Sequence, residues 1–172
     1  MLRFMTLFLL CLGVLFMAEL LQPVDRNVIV PFTSAIAHVC VWIVNLFDPN
    51  AVAHGKILAS ADNTFAISIE RGCNGVEAVI ILVSAILAFP APWKHKLVGI
   101  VAGMFAIQAL NLVRIISLFY LGQWSRLWFE WFHLYLWQAL IVLDALVVFL
   151  VWLRHLPAPA RPATAGPGAP PG

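Results

Sequence analysis

The chain has 172 residues, 63% of them apolar and 10% charged, with a mean hydropathy of +0.96 and a formal net charge of +2. A soluble domain is nearer half apolar and a quarter charged, so these values exclude one and leave a single-domain integral membrane protein. The small, scattered positive charge does not imply a nucleic-acid partner, and the three cysteines lack metal-ligand or disulfide spacing.

Leu2–Leu21 is an apolar run long enough to cross the roughly 30 Å hydrocarbon layer, and no small-residue cleavage site follows it. It reads as an uncleaved anchor. Gln22–Val30, with Pro23, Asp25 and Arg26, is a polar break. Pro31–Phe47 reads as a helix with Ser34, His38 and Asn45 on one side, either spanning or lying at the interface. Asp48–Glu70 is the one substantial soluble stretch. Lys56–Ser60 and the alternating Thr64–Glu70, separated by Ala61-Asp62-Asn63, predict a small β-hairpin that delivers the chain to Cys73.

Val76–Phe89 is the next helix, stopped by Pro90-Ala91-Pro92. Trp93, Lys94 and Lys96 mark the cytoplasmic side, since cytoplasmic loops are rich in Lys and Arg. Leu97–Leu121 returns across the membrane, and Gly122–Phe132 reads as a loop carrying an aromatic belt of Trp124, Trp128 and Trp131. Leu134–Leu153 is the last span. The expected architecture is an all-α polytopic membrane protein of about four to five transmembrane helices, with a small extracytoplasmic hairpin before the helix that follows Cys73. Residues 1–155 form the membrane domain, and 156–172, nearly all Pro, Ala and Gly, a disordered cytoplasmic tail.

Polar residues gather at one depth. Measured from the cytoplasmic ends, Cys73 and Arg114 both lie about 26 Å up, and His133 about 30 Å. Three separate segments thus converge on the outer edge of the hydrocarbon layer. A guanidinium within a span is costly unless paired or hydrated, so Arg114 marks a functional site. Asn111, one turn earlier, is placed to orient it.

Cys11 and Cys40 sit in apolar runs and read as packing residues. Cys73 sits in the polar octapeptide Glu70–Glu77, ERGCNGVE, with Asn74 beside it and Gly72 and Gly75 allowing close backbone approach. A thiol is nucleophilic as thiolate, which a nearby cation favours. His133 fits a general base and acid, with Glu130 placed to hold its tautomer. Arg114 fits a donor to the oxyanion of a tetrahedral intermediate. Glu70, Arg71 and Glu77 are candidate substrate contacts or ion pairs. No metal ligands and no cofactor are implied. The competing reading is a non-catalytic membrane subunit or small transporter, with Arg114 and Glu77 lining a polar path.

The Cys-Asn-Gly after the hairpin, the Asn111-Leu-Val-Arg114 element and the Phe-Glu-Trp-Phe-His133 run resemble the exosortase/archaeosortase family. ERGCNGVEA, AILAFPAPWKHKL and HLYLWQALIVLDALVVF are similar to exosortase H in particular, over about Pro31–Arg154. The resemblance implies a catalytic Cys73, Arg114 and His133; Asn74, Asn111, Glu130 and Glu70 read as supporting residues from their positions in the sequence. It implies exported protein substrates ending in a short motif, a transmembrane helix and a basic cluster, of the IPTL-CTERM type. The acyl chain would pass from Cys73 to an amine or water. The enzyme is expected in the inner (plasma) membrane, among lipid, with its site facing the periplasmic side.

Overall fold

The computed structural model describes residues 2–156; the expected tail, from residue 157 on, lies outside the described residues. Four helical segments are long and apolar enough to cross a membrane: α1 (Leu2–Leu20), α2 (Gln22–Asn45), α4 (Trp93–Trp124) and α5 (Arg126–Arg154). The shorter α3 (Val76–Ala88) lies among them. Large apolar side chains such as Leu9, Leu10, Phe105, Leu143 and Leu146 point outward, as lipid-facing residues do. The chain is an all-α multi-pass membrane protein with one small sheet.

Aromatic contacts fix how the helices stand. Phe4, in the first turn of α1, meets Phe89 edge-on at 6.3 Å, and Phe89 meets Trp152 near the end of α5 at 5.9 Å. The Trp152 indole donates to the His95 carbonyl (2.9 Å). The start of α1, the Pro90–Pro92 turn, the start of α4 and the end of α5 therefore share one pole. The turn itself follows from sequence: Phe89 is forced extended before Pro90, and Lys96 Nζ donates to the freed Leu87 carbonyl (2.7 Å). Around this pole α3, α4 and α5 close on a core of Leu82, Ile86, Ile107, Ile141 and Ala145.

A second core occupies the opposite, distal half. Ile36, Ala37, Cys40 and Val44 of α2 pack with Ile115 and Phe119 of α4 and with Leu58 and Ile69 from the soluble stretch. Here three sequence expectations are corrected. Gln22–Val30 is not a break: the helix runs through it, with a π-helical turn at Asp25–Ile29. Pro23 is tolerated because it falls in the first turn, where its missing N–H has no intrahelical partner. The π turn absorbs a residue without ending the helix. Continued in this way, α2 packs on the distal half of α4 and does not return to the pole that holds Phe4.

The hairpin has a third strand. β1 (Ala51–His54), β2 (Ile57–Ser60) and β3 (Ala66–Ser68) form an antiparallel sheet in the order β1-β2-β3, with His54 opposite Ile57 and Leu58 opposite Ile67. Ala51–His54 lacks the β-branched alternation that marks a strand; Asn45 at the end of α2 supplies what propensity does not. Its side chain accepts from the Ala51 N–H and donates to the Ala51 carbonyl, both at 3.0 Å, anchoring β1. Asn63 donates to Gln123 on α4 (2.9 Å) and ties down the β2–β3 turn.

Nor is Gly122–Phe132 a loop. α4 runs to Trp124, Ser125 alone is extended, and the chain is helical again from Arg126. The aromatic residues there cover a helical surface, with Trp124, Trp128 and Trp131 exposed around the distal rim.

Candidate active site

The loop before α3 is held from every side. The Cys73 N–H donates to the Glu70 carbonyl (2.9 Å), closing a turn, and the Gly72 N–H donates to the Glu77 carboxylate. Gly72 and Gly75 have φ of 79° and 77°, a left-handed backbone that glycine adopts without cost. A Cβ on Gly75 would also meet Gln108 Nε2 at 2.8 Å and the Asn111 amide at 3.3 Å. Between the two glycines, Asn74 is buried: its Oδ1 accepts from the Val76 N–H (3.0 Å) and its Nδ2 donates to Thr33 Oγ1 of α2 (3.3 Å). Gln108 of α4 donates to the Asn74 carbonyl (3.2 Å). Helices α2 and α4 thereby fix the position of Cys73.

Arg114 is 1% exposed and is the largest fully buried side chain among the described residues. Its Nη1 donates to the Gly72 carbonyl (3.0 Å) and its Nη2 reaches Cys73 Sγ at 3.5 Å. Its Nε is buried without a partner, and none of the carboxylates among the described residues pairs with it. A buried cation held by one carbonyl and one sulfur is incompletely compensated, and an anion forming beside it gains accordingly. Asn111, fully buried, does not bond Arg114; its amide donates to Gln108 Oε1 (3.4 Å) and packs against Gly75.

His133 completes the cluster. Its Nε2 stands 4.0 Å from Cys73 Sγ, and its ring stacks on Phe129 at 5.6 Å and 6°. It sits in a π-helical turn, Phe132–Leu136, inside α5, where the local widening redirects the ring. Glu130 does not reach its Nδ1, which is buried and unpartnered; Glu130 pairs instead with Arg126, one turn away (3.1 Å).

Burial pushes the Cys73 thiol above its ordinary pKa; the Arg114 guanidinium pulls against this, and Glu77 and Glu70 add to the rise. Glu70 lines the groove that holds Cys73 and His133 but makes no hydrogen bond to either: its side chain is well exposed, pairs with Lys56 (2.6 Å) and accepts from Ser68 Oγ (2.7 Å). The Lys56 and Ser68 hydrogen bonds hold its carboxyl below the usual range. Its small contribution to stability is present above the ordinary carboxylate pKa and is lost as pH falls through the lowered one. Arg71 pairs with Asp25 of the first π turn (2.7 Å).

Cys73 and His133 open onto a groove of about 510 Å³ between β3 and the start of α5, lined also by Phe65, Gly122, Arg126 and Phe129. Sequence reading missed Thr33, Asp25 and Phe129. Thr33 and Asp25 lie in a segment read as a break or an isolated helix, and nothing local ties them to a loop some forty residues on. The Phe129–His133 spacing of one helical turn was the available clue to the stack.

Cys73 Sγ thus has the His133 imidazole at 4.0 Å and the buried Arg114 guanidinium at 3.5 Å. No curated protein and no solved structure matches the chain. The sequence profile of the transmembrane exosortase family (exosortase EpsH) matches residues 2–152, from α1 to the last turns of α5. With nearly all of its described length inside that match, the chain belongs to the transmembrane exosortase family, a family of membrane-embedded sorting transpeptidases.

Proposed function

We propose that this protein cleaves the C-terminal sorting tail of exported proteins through a Cys73 thioester and passes the acyl chain to an amine or water. The observation that carries the reading is the approach of Arg114 Nη2 and His133 Nε2 to Cys73 Sγ, at 3.5 and 4.0 Å. His133 Nε2 takes the thiol proton as sulfur attacks the scissile carbonyl carbon. Arg114 donates to the oxyanion that forms. The C–N bond then breaks, the imidazolium returns the proton to the leaving amine, and a thioester remains. The acceptor attacks the thioester, His133 takes its proton, and the proton returns to the departing sulfur.

The similarity to exosortase H favours an IPTL-CTERM type of tail. Arg3, Lys94, Lys96 and Arg154 lie at the pole away from Cys73, which favours a cytoplasmic placement of that pole and an outward-facing site in the inner membrane. A tail helix buried in lipid would then present its upstream junction at the depth of Cys73.

The test is the intact mass of a secreted reporter ending in Ile-Pro-Thr-Leu, an apolar helix and a basic cluster, co-expressed with the wild-type chain or its Cys73→Ala variant. Tail loss with the wild type alone is expected, and any added mass identifies the acceptor. Equal processing by both chains would remove Cys73 as nucleophile.

A further inference from the structure

The sheet ends in an open edge inside the groove. Ile69 N–H donates to the Lys56 carbonyl and Ser60 N–H to the Phe65 carbonyl, each at 3.0 Å. With Leu58 opposite Ile67, residues 65, 67 and 69 turn their backbone groups toward β2. Strand geometry alternates these directions, so the N–H and C=O of Ala66 and Ser68 point the other way, off the free side of β3. Ala66 and Ser68 are exposed, and both line the groove that holds Cys73 and His133. Gly122, Arg126 and Phe129 form the opposite wall.

We propose that the substrate segment ahead of the tail helix docks as a fourth strand on the edge of β3, bringing its scissile bond over Cys73. The inference rests on the transpeptidase reading of the site. An exposed edge is a ready template for another chain, and strand addition supplies affinity through main-chain bonds. This edge lies in a concavity and is short, so an extended single chain fits it where a second sheet does not. Nucleophilic attack also requires an extended, accessible amide, which a helix does not offer. The groove leads from the soluble sheet to the depth of Cys73, where a lipid-buried helix must give way to such a segment. Phe65, just ahead of β3, packs its ring on Gly122 of the facing wall, where a Cβ would strike it, and so bounds one end of the groove.

The test uses crosslinking in the full-length chain, independent of turnover. The Ala66→Cys substitution is made in the Cys73→Ala background, and the secreted reporter carries a single cysteine at successive positions ahead of its tail helix. Strand pairing predicts disulfides at alternate positions, about fivefold or more above the intervening ones, because side chains alternate between faces. In the otherwise wild-type chain, Ser68→Pro, which removes the outward N–H, should slow reporter processing about tenfold. If the wild-type chain processes the reporter but crosslinks are uniform or missing, strand docking is overturned and the transpeptidase reading stands. If the wild type does not process it, the underlying reading falls. A disulfide-linked homodimer of the Ala66→Cys chain would assign the edge to a second copy and overturn the substrate role.

Discussion

At Arg114 the energetics and the chemistry point the same way. A guanidinium this buried, with one carbonyl and one sulfur for partners, is a poor stabiliser of the resting fold and a strong one for an anion formed at Cys73. Arg114→Lys keeps the charge but loses the planar fork that spans the Gly72 carbonyl and the sulfur together. It should lower reporter processing by about 100-fold or more, with the protein still folded, as read from initial rates at matched expression. Cys73 adds a pH signature. Because burial raises its pKa, alkylation of Cys73 by iodoacetamide should be slower at neutral pH than that of a free cysteine and should climb into the alkaline range. Arg114→Met removes the one opposing influence, so the profile should move further upward. A profile that shifts downward in that variant would contradict this electrostatic assignment.

At the scale of elements, the Cys73 loop is shaped by glycine conformation and by polar hooks from neighbouring helices. Gly75→Ala adds a Cβ at positive φ against Gln108 and Asn111, and should cost about 2 kcal/mol and displace Cys73. Thermal unfolding in detergent reads the first effect, and loss of processing the second. Asn45→Ala removes both hydrogen bonds that anchor β1 and should cost about 2 kcal/mol, loosening the sheet while leaving the helices near the opposite pole intact. Hydrogen exchange localised to residues 51–68 checks that.

Across the whole molecule, two cores stacked along the helix axes place the site between a lipid-facing bundle and a water-facing cap. α4 is 32 residues long, about 48 Å, and outreaches the hydrocarbon layer, carrying Arg114 to its edge and Trp124 beyond. Single cysteines at Lys94 and Asp62, in a chain with its native cysteines replaced, should label from opposite sides with a membrane-impermeant maleimide. A cysteine at Leu2 should share the side of Lys94, because Phe4 packs at that pole. Labelling of Leu2 and Asp62 from one side would overturn this arrangement.

The sequence by itself determined the membrane character, the Pro90 stop and the prominence of Cys73, Arg114 and His133. Each of these rests on local physics: apolar runs of spanning length, a residue without an N–H, and polar groups too costly in lipid to be incidental. Depth could be read because an α-helix advances a fixed distance per residue. Tertiary structure alone decided which side chains meet. Asn111 bonds Gln108 and not Arg114, Glu130 turns to Arg126, and Thr33 reaches Asn74 across 41 residues. It also decided that α2 stays in the distal half and that Ala51–His54 pairs as a strand. Those outcomes depend on packing and on hydrogen bonds between distant segments, energies that no local window of sequence contains.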